Sequence, residues 1–253
     1  MRSHEENFAN ALDSHIFLQI MRNFVTRVNK KPMKKATIIT QLLCLLTLLL
    51  MQACKSGENG RHEVDTIFPD TCQLQVGDVV FRQGVSLESE VVILAQGHEG
   101  MYSHCGIVVD SAGVMMIVHA VPDEPDFEGD VNRVKMDRPE RFYMTSRASR
   151  GEVMRCDNPA VAQAAAAQAK LYYKTHMLFN DDYDDADTTR LYCTQLVLRA
   201  YAAAGVKLNT GKAKRYSVPG VFDVECILPI QLHACGYFRS VASFTHDEHL
   251  AGE

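Results

Sequence analysis

The sequence predicts an α+β fold in which an antiparallel sheet packs against helices. Three observations carry that expectation. Within residues 103–122, two β-branched runs flank "DSAG", which is hairpin chemistry. Residues 157–177 open with Asp157, Asn158 and Pro159 and continue through a run of alanines, the clearest helix in the chain. A further helix starts at Cys193 and stops at Gly205. Strands and helices stand in separate runs and do not alternate, which is the α+β pattern.

The N-terminal region reads differently. Lys34 and Lys35 precede fifteen uncharged residues, 36–50, and then Met51, Gln52, Ala53 and Cys54. A basic start, an apolar core of roughly 7–15 residues and a small residue before a cleavage point describe a secretory signal. Fifteen residues fall short of the roughly 20 that a membrane-spanning helix needs. With a cysteine directly after Ala53, the segment resembles a bacterial lipoprotein signal, in which Cys54 is lipidated and becomes the first residue. Four segments follow: 1–32 as an over-extended N-terminus with Met33 as the true start, 33–53 as the lipoprotein signal peptide, 54–71 as a polar tether and 72–253 as the folded domain. The expected place is the cell envelope, with the membrane as a partner through the lipid anchor.

Composition narrows the function. The chain of 253 residues is 47% hydrophobic with a formal charge of −5, so nothing points to a nucleic-acid partner. Removing residues 1–53 takes out seven Lys/Arg and three Asp/Glu and leaves −9, which disfavours electrostatic docking on anionic lipid. Six cysteines remain after Cys54, but their spacings form no compact disulfide framework, and about 200 residues bury a core without staples. No CxxC or HExxH occurs, so neither a metal site nor a cofactor is expected. The acidic run 181–187 lacks the glycine and closing glutamate of a calcium loop and reads as a solvated loop.

The remaining elements follow in order. Gly77-Asp78 marks a turn into a strand at 79–82, with Asp78 fixing the turn. Residues 86–97 open on a serine with acids close behind and an apolar run after, a capped helix start ending near Gly97. The charged stretch 123–142 reads as loop with a short strand at 131–136, and 151–156 as another strand. Residues 179–190 form an acidic loop, and 225–241 a turn with one or two late strands.

Chemistry concentrates at three residues. Cys193 heads a helix, where unsatisfied amides and the helix dipole stabilise a thiolate and backbone N–H groups point to where an oxyanion would form. A thiol nucleophile also needs an imidazole to take its proton and a polar group to orient that imidazole. His104 and His119 lie on the two hairpin strands. A two-residue turn at Ser111-Ala112 makes them direct cross-strand neighbours, a register shifted by two makes them diagonal neighbours on one face, and a three-residue loop separates them. Strand alternation turns Cys105 to the face opposite His104, into the core. Tyr102 and Tyr192 are candidate cleft residues by adjacency alone.

These residues sit within a recognisable set. "GDVVFR", "SHCGIVV", "VHAV" and, about ninety residues after the first histidine, "LYCTQLV" follow one another in order. Together they resemble the permuted branch of the NlpC/P60 papain-like superfamily, closest to the YaeF/YiiX-type permuted amidases. The resemblance runs from about residue 76 to residue 205. Unpermuted members place the Cys helix first, whereas the permuted branch, like this chain, places it last. The resemblance implies a circularly permuted papain-like fold with Cys193 as nucleophile, His104 as base and His119 as the residue that orients it. Two positions depart from the branch: Thr194-Gln195 where Ser-Glu is frequent, and His119 where Glu is frequent. The implied activity is hydrolysis of an amide, in a cell-wall peptide or an N-acyl amide. A lipid acyltransferase or thioesterase, and a non-catalytic module that binds envelope ligands on the same fold, are the alternatives.

Overall fold

The computed structural model describes residues 64–97, 100–218 and 222–246. The expected signal peptide, the over-extended segment and the lipidation candidate Cys54 all lie outside them. Among the described residues no helix is long and apolar enough to cross a membrane.

The chain runs β1 (Val79–Gly84), α1 (Leu87–Ala95), β2 (His104–Ser111), β3 (Val114–Val121), β4 (Arg133–Asp137), α2 (Pro139–Phe142) and β5 (Ala148–Cys156). It continues through α3 (Pro159–Lys174), β6 (Leu178–Phe179), β7 (Arg190–Leu191), α4 (Cys193–Ala203), β8 (Lys214–Val218), β9 (Phe222–Cys226), α5 (Pro229–His233) and β10 (Phe238–Thr245). Eight strands make one sheet in the order β10-β5-β1-β2-β3-β4-β6-β7, antiparallel except for the short β6–β7 pair. The α+β expectation holds.

Strand alternation splits the core in two. Val79, Phe81, Cys105, Ile107, Val109 and Val118 face one layer with helices α3 and α4. Val80, Val108, Ile117 and Val153 face the other, which Ile67, Phe142, Tyr143 and Phe244 close. Helix α3 meets the sheet through Ala162, Ala165, Ala166 and Ala169, a stripe at helical spacing whose small side chains allow close approach. Its cap is Asn158, whose Oδ1 accepts from the N–H groups of Ala160 and Val161. Gly77, at φ +85°, is pressed so near α3 that a Cβ there would stand 2.4 Å from the Ala162 carbonyl oxygen.

Three expectations need correction. Ordered structure begins before Cys72: Ile67 and Phe68 are buried and Thr66 bridges to Met144, so the apolar end of the expected tether belongs to the domain. The β2–β3 turn is Ala112-Gly113, because Ser111 pairs with Val114. Both turn residues have positive φ, 56° and 83°, the conformation that a glycine in the second position favours and that matches the strand twist. Within 225–241 the two strands are the end of β9 and the start of β10, and helix α5 stands where a turn was expected.

Candidate functional site

The corrected register decides how the histidines meet. Extended from Ile107↔Val118, it sets His119 opposite Gly106, so His104 and His119 are diagonal neighbours on one sheet face. Gly106 makes the crossing possible, since a Cβ there would lie 3.1 Å from the His119 Cβ and 2.8 Å from Ile117 Cγ2. The two rings cross at 76°, and His104 Nε2 lies 2.9 Å from His119 Nδ1. Phe142 covers both rings from the same side of the sheet.

Beyond His119 the polar chain continues. His119 is fully buried, and its Nε2 lies 3.4 Å from Asp137 Oδ2 on β4, long for a hydrogen bond. Arg147 Nη1 lies 3.2 Å from the same oxygen, and Arg141 Nε lies 3.4 Å from Oδ1. Burial raises the Asp137 pKa, but hydrogen bonding and charge from His119, with Arg141 and Arg147, outweigh it and hold the group at about 2. Arg147 also binds Glu124, which binds the guanidinium of Arg82, the cross-strand partner of His104. Burial lowers the His104 pKa well below its usual value, and the charges of Arg82, His119 and Arg147 push the same way. His104 is therefore neutral at pH 7, a base with its lone pair available.

Cys193 is the first residue of α4 and is partly exposed. It packs against the helix-side core that includes Cys105. The Cys105 thiol hydrogen-bonds its sulfur, which lowers the Cys193 pKa despite burial, and the backbone N–H groups of Thr194, Cys105 and Cys193 lower it further. Cys105 goes the other way: burial first, then Cys193, raises it well above the ordinary thiol. The pair thus divides into a donor thiol and an acceptor sulfur. All six described cysteines are free.

Cys193 and His104 line one cavity of about 130 Å³, together with Arg82, Ser103, Glu124 and Tyr183. The strands bring His104 and His119 into contact, and the head of α4 brings Cys193 to the same cavity. Neither Tyr102 nor Tyr192 lines it. Both are buried, Tyr102 donating to Glu152 and Tyr192 to Asp185, and Tyr183 takes the cleft position expected of them. Asp137 and Arg82 escaped the sequence reading, because the β3–β4 pairing that delivers Asp137 leaves no local pattern.

Thr194 and Gln195 turn inward. Thr194 Oγ1 donates to the Ile227 carbonyl. Gln195 Oε1 accepts from the Tyr192 N–H and from Asn180 Nδ2, both at 3.3 Å, and its Nε2 donates to the Asp184 carbonyl. Gln195 thus fastens the helix start to the loop before it, Thr194 fastens it to the segment between β9 and α5, and neither lines the cavity. The acidic loop itself is knitted by Arg190, which pairs with Asp182 and Asp187.

No protein-family model matches the chain, and no curated protein does. Among solved structures, it is similar to the one titled as metalloprotein yiiX from Escherichia coli O157:H7, DUF1105. Identity is 19%, the TM-score is 0.53, and the likeness covers 68% of this chain and 98% of that one. The chain therefore shares the fold of that structure, an α+β arrangement with one large sheet packed against helices.

Proposed function

We propose that the chain is a thiol hydrolase that cleaves amide bonds through an acyl-enzyme on Cys193. One observation carries the reading: a cysteine at the first position of a helix, with a lowered pKa, shares a small cavity with a neutral histidine that a second histidine holds in place. His104 takes the thiol proton as Cys193 Sγ attacks the substrate carbonyl carbon. The oxyanion forms beside the N–H groups at the start of α4. His104 then returns the proton to the leaving amine, and water, deprotonated by His104, releases the acid and regenerates the thiol. Cys193 and His104 line the cavity together, and filling it with substrate would bring thiol and imidazole within reach of one another.

Wall-peptide amides and N-acyl amides are the two substrate classes of this proposal, and a lipid on Cys54 would hold the enzyme at the envelope. The metalloprotein title belongs to yiiX. In this chain, among the described residues, no group of three or more His, Cys, Asp or Glu side chains is placed to hold a metal ion. His104 and His119 each spend a ring nitrogen on the other, so this donor set does not fit a resident metal and no step runs through one.

The test is turnover of a panel of muropeptides and N-acyl amides, together with labelling by an iodoacetamide-type probe. Cys193→Ala should remove the labelling that proceeds fastest at low pH, leaving only slow labelling of the other free cysteines, and lower turnover by on the order of 10³-fold or more. His104→Ala should lower turnover while leaving the thiol present. Unchanged labelling in Cys193→Ala sinks the assignment.

A further inference from the structure

We infer that Asp137 is a positioning residue which, acting through His119, fixes the ring nitrogen that His104 offers to Cys193. The inference rests on the thiol-hydrolase reading and adds a fourth member to its polar chain. Asp137 contacts Arg147 through Oδ2 and Arg141 through Oδ1, so it stands ionised and can only accept hydrogen bonds. The His119 nitrogen facing it is Nε2, at 3.4 Å. A lone pair buried against a carboxylate is repelled, whereas an N–H is attracted. His119 therefore carries its proton on Nε2, which leaves its Nδ1 as a lone pair.

That lone pair faces His104 Nε2 at 2.9 Å, a distance that requires a hydrogen between them. The proton belongs to His104 Nε2, and the His104 lone pair falls on Nδ1, the nitrogen left for the thiol proton. One carboxylate on β4 thereby sets the tautomer of two rings on β2 and β3. The groups around the pair agree with this. Arg82 and Arg147 are cations that disfavour a third positive charge, and Phe142 offers the rings only an aromatic surface.

The experiment is ¹⁵N NMR of the imidazoles in the full chain at neutral pH, with signals assigned through His104→Gln and His119→Gln. Each ring should carry a proton on Nε2 and be bare on Nδ1. A proton on Nδ1 of either ring overturns the inference. In parallel, Asp137→Asn should lower kcat by on the order of 10²–10⁴-fold with KM nearly unchanged, scramble the His119 tautomer and be partly rescued by Asp137→Glu. A folded Asp137→Asn protein with wild-type kcat and wild-type tautomers also overturns it. Should that variant not fold, the wild-type spectrum decides alone. Intact turnover in Cys193→Ala and His104→Ala would refute the hydrolase reading and leave the tautomer assignment standing, so the two failures are distinguishable.

Discussion

Cys105 is buried without exposure, yet its thiol meets the sulfur of Cys193. A residue that packs like a small hydrophobe thus also tunes its neighbour. Replacing it with alanine removes the S–H donor without crowding the site, so the Cys193 pKa should rise. The pH dependence of alkylation at Cys193 measures this, and Cys105→Ser should stay nearer the wild type because its hydroxyl still donates. At this scale the sequence was legible for Cys193, His104 and His119, since a helix start and a hairpin are local patterns. Asp137 was not legible, because a lone carboxylate at the end of a strand gains its role only from which strand lies beside it. Tyr102 and Tyr192 mark the reverse error: adjacency in sequence placed them in a cleft that neither reaches.

Among the elements, helix α4 depends most on one side chain. Gln195 satisfies the Tyr192 N–H at the helix start and binds Asn180 and the Asp184 carbonyl in the preceding loop. Gln195→Ala would strip buried partners from three groups at once and should cost about 1–3 kcal/mol, read from urea unfolding midpoints. The hairpin has its own tight point. Gly106→Ala would drive a Cβ to 2.9 Å from the Val118 carbonyl oxygen and 2.8 Å from Ile117 Cγ2. It should lower stability and part the histidine rings, visible as a lower Tm together with lost turnover. The helices and the central hairpin were readable because their periods and turn residues are strong. The two-residue strands β6 and β7 were not, because so short a pairing is made by tertiary contact and carries no period of its own.

Across the whole molecule, the buried imidazole ties stability to pH. The folded-state pKa of His104 lies below its ordinary value of 6.5. As pH falls, the unfolded chain therefore takes up the proton first. The contribution is complete above about pH 6.5 and drains at about 1.4 kcal/mol per pH unit below it, until the folded imidazole itself protonates. Asp137 adds a lower window: held at about 2 against an ordinary 3.8, it stabilises above 3.8 and loses that contribution as pH falls toward 2. Thermal melts between pH 7 and pH 5 should show a steeper fall for the wild type than for His104→Gln. The order of the chain has one more effect. Imidazoles at 104 and 119 and a thiol at 193 come together only after most of the sheet is paired and α4 has docked, a contact of long sequence separation that forms late. Until then the sulfur has neither amides to stabilise its charge nor a base to take its proton. A newly made chain carries a cysteine of ordinary thiol acidity and no base beside it. On the proposed hydrolase reading, completion of the fold is itself the step that arms the nucleophile.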